Sequence, residues 1–356
     1  MDDSTTVPAA DRLTALVEER EHEAARTCLE RLADADPEVR KTALRDLRTL
    51  VDDQGPTVRP LVPTLQRFLT DDERAIRLTA AKLFVTVAAN ESDAAVDAVP
   101  ALGERLADDA EFYYVRARCA EALGYVALDH PDEVASPDIL ADLRIGLSFD
   151  EPDVRPKLAK ALACVALGEP TRLDHHVGTL ADYLDDEHEL VRYHLATVLV
   201  VIGCERPSAL AEASGELVAR VEDETENDYV RGRAAEALGL LARADGVGDE
   251  SESENESDVE VSVLQAEFEM LEDADTGFLA DRARYAARAF AAPDSDPAID
   301  TATDTAEIGD IDAIRRTTDE IAATVSSPDA DDECPHCGLA LPDGAPPMCP
   351  RCGAPY

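Results

Sequence analysis

Four cysteines near the C-terminus carry the pattern with the most definite chemistry. In CPHCGLALPDGAPPMCPRCG, Cys334/Cys337 and Cys349/Cys352 form two C-x-x-C-G knuckles separated by the eleven residues Gly338–Met348. Two knuckles supply four thiolates from two tight turns, which is the donor set of tetrahedral zinc. The glycine after each second cysteine lets the backbone turn its amides toward sulfur. A stretch this short cannot fold on an apolar core, so bound metal would provide its folding free energy. One structural Zn2+ on Cys334, Cys337, Cys349 and Cys352 is therefore expected within 334–356. A redox dithiol would need a βαβ setting that is missing here. With four thiolates at hand, His336 is expected to stay exposed rather than ligate.

The remaining chemistry is sparse. Cys28, Cys119, Cys164 and Cys204 occur singly on apolar helical faces and read as small buried hydrophobes. His175, His176, His188 and His194 could meet across a helix pair, but their spacings match no metal pattern. There is no phosphate-binding glycine loop, no G-x-S-x-G elbow and no H-E-x-x-H helix, so the chain reads as non-enzymatic. Arg351 is the only Lys or Arg after Asp329, against Asp329, Asp331, Asp332, Glu333 and Asp343. Affinity for phosphate backbones comes mainly from cations, so the cysteine-rich end is poorly equipped to hold nucleic acid.

The elements that must carry such a tail are written as a repeat. Val115–Gly124 reads VRARCAEALG and Val230–Gly239 reads VRGRAAEALG. Weaker copies place Arg40, Arg77, Arg116, Arg155, Arg192 and Arg231 at steps of 37, 39, 39, 37 and 39 residues. A degenerate seventh copy, DRARYAARAF, puts Arg282 in the column after a step of 51, lengthened by the run DGVGDESESENESD. Behind each Arg the apolar spacing is that of an amphipathic helix, for example Val115, Cys119, Ala122, Leu123 and Val126. Before it lies a shorter apolar segment, as in Leu61–Leu69, Val99–Leu106, Leu180–Leu184 and Leu217–Val221, and an acidic turn separates the two. Such a pair cannot bury its apolar face alone, so neighbours must stack.

The pattern D-x-x-P-x-V-R-x-x-A-x-x-x-L resembles HEAT repeats over roughly 21–291, and the AEALG ending is similar to the short HEAT-like repeats named in phycobilisome lyase subunits. The resemblance implies an all-α solenoid of about seven helix pairs. It further implies that the Arg column (Arg40, Arg77, Arg116, Arg155, Arg192, Arg231 and Arg282) forms a structural ladder with turn acids of adjacent repeats. The acids expected in that role are Asp36, Asp72, Asp109, Asp150, Asp186, Asp228 and Asp275. It also implies an inner surface lined by the second helices. Tyr114, Arg118, Tyr193, Tyr229, Arg233 and Arg284 would lie near that surface as partner-binding residues, although the same residues suit plain packing at helix starts. The terminal module is similar to the small zinc ribbons that end many archaeal and bacterial proteins.

The flanks follow from composition. Residues 1–20 read as an N-terminal cap, about 245–258 as an acidic disordered insertion, and 292–305 and 326–333 as linkers. Between the linkers, Ile308, Ile311, Ile314, Ile321 and Val325 mark an amphipathic helix over 306–325, expected to cover the open side of the last repeat or to dock a partner. The chain has 77 acidic and 33 basic residues, a net charge of -44, and only four lysines, Lys41, Lys82, Lys157 and Lys160. That balance resembles proteins of halophilic archaea, where molar salt shortens the Debye length to about 3 Å and screens self-repulsion. With no basic-apolar leader and no long apolar run, the expected compartment is the cytoplasm. The expected function is a protein–protein scaffold with zinc as an auxiliary docking module. The alternatives are a transcription- or translation-associated factor acting on nucleic acid through the ribbon, or an accessory subunit for cofactor attachment.

Overall fold

The computed structural model describes residues 9–55, 57–245, 257–274, 276–292 and 308–325. These are helical, with no strand among them. Fourteen α-helices have nine residues or more. They are α1 (Ala9–Glu18), α2 (His22–Leu32), α3 (Pro37–Gln54), α4 (Arg74–Asn90), α5 (Val99–Ala107), α6 (Tyr113–Ala127), α7 (Pro137–Ile145) and α8 (Arg155–Gly168). The series continues with α9 (Glu189–Glu205), α10 (Ser214–Glu222), α11 (Asp228–Asp245), α12 (Ser257–Leu271), α13 (Gly277–Ala291) and α14 (Ile311–Val325). The chain forms two compact units, Met1–His176 and Val177–Tyr356.

The seven Arg-column residues all fall on, or one position before, the long helices α3, α4, α6, α8, α9, α11 and α13. The acidic turns start these helices for a local reason. Asp36 accepts the Glu38 amide at 3.0 Å and Pro37 occupies the first turn of α3, where its missing N–H costs nothing. At its other end, α3 stops at Gly55, whose φ of +58° suits a residue without Cβ.

The segments before the Arg helices are less regular than the repeat predicts. Val99–Ala107 and Ser214–Glu222 are single helices. The stretch expected as Leu61–Leu69 is instead broken into Arg59–Leu61, Val62–Leu65 and Gln66–Thr70, with 3-10 turns at both ends. Leu180–Leu184 is likewise split between Val177–Ala181 and Asp182–Asp185. Pro60 and Pro63 explain the first break, because each removes an amide that a longer helix would need.

In the first unit, α3, α4, α6 and α8 pack side by side in chain order, with α1 against α3 through the buried Leu13 and Val17. In the second unit, α9, α11 and α13 do the same. The glycine that ends each copy of AEALG sits where neighbouring helices touch. A Cβ on Gly124 would lie 2.7 Å from Ala161 Cα, and one on Gly239 would lie 3.1 Å from Ala286 Cα. Gly124→Ala is therefore expected to destabilise by about 1–3 kcal/mol through overpacking. Gly215→Ala in α10, where nothing lies within 4 Å, should instead be neutral or stabilising. Thermal unfolding followed by circular dichroism compares the two, and equal effects would contradict the packing account.

The helix expected over 306–325 is α14, and it takes a different place from an end cover. Its Ile321 and Ala322 pack on a cluster of Leu190, Tyr193, Tyr229 and Val230, so it lies over α9 and the start of α11. The reason is side-chain shape. Tyr193 and Tyr229 project from the second helices and offer the apolar surface that α14 covers. The insertion over 246–256, the linkers and the zinc ligands Cys334, Cys337, Cys349 and Cys352 lie outside the described residues.

Candidate interaction surface

The Arg column makes contacts of two kinds. Arg40, Arg77 and Arg192 reach forward to a carboxylate some 30 residues on. Arg40 lies 3.0 Å from Asp71. Arg77 Nε and Nη2 donate to the two oxygens of Glu111 at 2.6 and 2.9 Å. Arg192 forks onto Glu226 in the same way at 2.6 and 2.7 Å. Each also donates backward from Nη1 to a carbonyl of its own turn: Ala35, Asp71 and Asp186 respectively. One guanidinium thus ties together two successive turns, with the bidentate geometry that makes such bonds strong. The Glu111 hydrogen bond holds the Arg77 pKa above its ordinary value.

Arg116 and Arg231 behave differently. Arg116 Nε donates to Leu106 O at 2.7 Å and Arg231 Nε to Val221 O at 3.1 Å, each ten residues back at the end of the preceding short helix. The Arg116 guanidinium also stacks 4.7 Å over the Phe149 ring, and its carboxylate partner is the exposed Asp109 at 3.2 Å. An aromatic ring thus faces Arg116 from the next turn. Arg155 begins α8, and Arg282 donates to Glu236 at 2.9 Å.

The acids are accordingly not those expected from the turn pattern. Asp72 contributes only its carbonyl to Arg77, and Asp228 accepts from Thr276 instead of an arginine. Asp36 caps α3, Asp186 accepts the His188 amide, and Asp275 lies outside the described residues. The bidentate partners, Glu111 and Glu226, immediately precede the aromatic or Asn residue that opens the next Arg helix. The Glu111 and Glu226 carboxylates also cap the amides of Phe112 and Asn227.

The partner-binding candidates fall into different environments. Tyr193 and Arg233 are fully buried, which corrects their placement on an open surface. Tyr229 is half-buried with its ring 4.9 Å from Phe278. Arg284 is half-buried and pairs with Asp281 at 2.7 Å. Tyr114 is half-buried and donates to Glu151 at 3.4 Å, and Arg118 is half-buried against Glu121 at 2.6 Å.

The duplicated decapeptide makes the contrast plain. Arg118 with Glu121 and Arg233 with Glu236 are the same i,i+3 ion pair in the same local sequence. In α6 both side chains keep partial exposure, 20% and 11%, whereas in α11 both are at 0%. The second pair is closed over by the chain. Arg282 from α13 donates to Glu236, and the amide of Gly309, just before α14, donates to its other oxygen at 2.9 Å. Burial raises the Glu236 pKa, but Arg282 and Arg233 outweigh it and hold the carboxyl below its ordinary range. Between α14 and the helices beneath it remains a cavity of about 350 Å³ lined by Tyr229, Phe278, Arg282, Ile314, Thr317 and Ile321 among others.

The single cysteines are Cys119 and Cys164, which are buried, and Cys28 and Cys204, which are half-buried. Burial, reinforced by Glu236, pushes the Cys204 thiol up to about 12, so it is not a nucleophile near neutrality. His176 Nδ1 accepts from Arg144 at 2.8 Å, His188 caps α9 and His194 is buried. Among the described residues no group of three or more His, Cys, Asp or Glu converges on a metal position, and no helix is long and apolar enough to cross a membrane.

Comparison with known proteins agrees with the repeat. No curated protein matches the chain in sequence. Three crystal structures of engineered proteins share its fold. One is 21% identical with a TM-score of 0.59, covering 82% of this chain and 76% of its own. The second is 19% identical with a TM-score of 0.54, covering 65% and 97%. The third is 21% identical with a TM-score of 0.54, covering 64% and 98%. The family model described as HEAT repeats matches residues 25–124, the stretch that carries Arg40, Arg77 and Arg116, and there the chain is similar in sequence to HEAT repeats.

Proposed function

We propose that the chain is a non-enzymatic protein–protein interaction scaffold. The observation that supports it most is the face of the second helices. The long helices α3, α4, α6 and α8 lie side by side with half-exposed polar side chains, and the equivalent helices of the other unit already hold a helix, α14, on theirs. Repeats of this kind place a broad, regular surface in reach of a partner while the arginine contacts hold successive turns together. Their generic use is protein binding, which agrees with the match over residues 25–124.

A zinc ribbon on Cys334, Cys337, Cys349 and Cys352 completes the proposal as an auxiliary docking module, supported by the knuckle spacing. The test is affinity isolation of the full chain and of a full-length Cys349→Ser form from molar KCl, with and without nuclease. A protein that follows both forms and ignores nuclease is the expected result. A partner that vanishes with nuclease or with the cysteine would overturn the scaffold and favour action through the ribbon.

A further inference from the structure

Aligning the long helices on their arginine column shows that one face has opposite character in the two units. Counting from the column, the positions two and five residues on are Arg118 and Glu121 in α6, Lys157 and Lys160 in α8, and Arg233 and Glu236 in α11. The five-residue position is Arg45 in α3 and Lys82 in α4, and Arg48 lies one turn further along α3. At 100° per residue these positions share one side of each helix. In the second unit this side is closed: His194, Thr197, Arg233 and Glu236 are all buried, with α14 packed over α9 and α11. In the first unit the same positions are half-exposed.

The open version is basic in a chain of net charge -44. Three of the four lysines, Lys82, Lys157 and Lys160, join Arg45, Arg48 and Arg118 on it. They belong to four helices packed in succession, at interaxial spacings of about 8–10 Å. The guanidinium groups sit close enough that Arg118 and Arg45 lower the Arg48 pKa after burial does. Acids near the stripe are fewer. Glu121 accepts from Arg118 and is held below its ordinary range against burial by Arg118, Lys157 and Lys160, and Asp52 lies beside Arg48. Lys160 donates to the Tyr125 hydroxyl at 2.6 Å, and Leu78 and Val85 are half-exposed on α4 along the same side.

We propose that this open face of the first unit docks an acidic amphipathic helix of a partner protein, as the equivalent face of the second unit takes α14. The inference rests on the scaffold reading and names the partner's chemistry. The α14 precedent specifies a helix, and the cations specify carboxylates flanking its apolar stripe. Leu78, Val85 and the Tyr125 ring specify that the stripe is apolar. A nucleic acid fits less well, because Glu121 stands among the cations and would oppose a phosphate backbone.

The test uses the full chain at moderate salt and fluorescence anisotropy. The probe is a labelled peptide of about five helical turns with leucines on one stripe and glutamates beside it. Its controls are a scramble of the same composition and an oligothymidylate of equal charge. The expected result is saturable binding of the helix, with the scramble and oligothymidylate at least about tenfold weaker. The full-length R45Q/K82Q/K157Q variant should also lose at least about tenfold with its circular dichroism unchanged. If that variant misfolds, Lys82→Gln alone is read, with a loss of about threefold expected. Absence of saturable binding, equal binding of scramble or oligothymidylate, or an undiminished variant would overturn the proposal. A wild-type chain that isolates its nuclease-insensitive partner yet ignores the probe refutes this face alone. A chain that isolates no protein refutes the scaffold.

Discussion

Glu236→Gln is expected to destabilise the second unit by about 3–5 kcal/mol, the loss that follows when one member of a buried ion pair is removed. Glu236 is the carboxylate between Arg233 Nη1 at 2.8 Å and Arg282 Nε at 2.9 Å, and neither it nor Arg233 has exposed side-chain surface. Glutamine would still accept the Gly309 amide but would leave two guanidinium groups in the interior without their counter-charge. Chemical unfolding of the full chain measures the effect, and a loss under about 1 kcal/mol would show that water reaches the site. Because Arg282 and Arg233 hold the Glu236 pKa below its ordinary value, the sign of the pH dependence is fixed. The contribution is complete above the unfolded value of about 4.3 and disappears as pH falls through the lower folded value. The wild type should therefore lose stability in acid more steeply than Glu236→Gln.

Cys349→Ser is expected to abolish stoichiometric zinc binding, because three thiolates and a hydroxyl no longer form a closed tetrahedral site. Structural zinc in comparable peptides binds with about 10–16 kcal/mol, so the ribbon should lose its fold with the metal. The helical circular dichroism should hardly change, since α1 to α14 make their contacts without residues 334–356 among the contacts described. Metal analysis of the purified protein reads the first part. Retention of one zinc per chain, or collapse of the helical signal, would refute the division into an independent ribbon and a helical array.

The helices themselves were legible. Apolar residues at helical spacing behind each arginine, and Asp-Pro before them, gave α3, α6 and α11 close to their observed limits. The short preceding segments were less so, because Pro60 and Pro63 interrupt helical hydrogen bonding while leaving the apolar spacing intact. The basic face was present in the same register once the helices were aligned. Its two states were not, since nothing local distinguishes VRARCAE from VRGRAAE as exposed or buried.

What the sequence by itself determined is therefore the phase of the repeat and the start of each long helix. These depend on interactions within one or two turns of chain, and residue type alone specifies them. Only the tertiary structure decided which carboxylate each arginine finds, Glu111 rather than Asp72 or Asp109 for Arg77, and Glu226 rather than Asp186 or Asp228 for Arg192. It also decided that Arg233 and Glu236 are sealed beneath α14 while Arg118 and Glu121 remain at the surface. Those outcomes turn on separations of a few ångströms between residues more than 30 positions apart. Coulombic and hydrogen-bond energies change steeply over that distance, whereas the helical pattern that precedes them does not change at all.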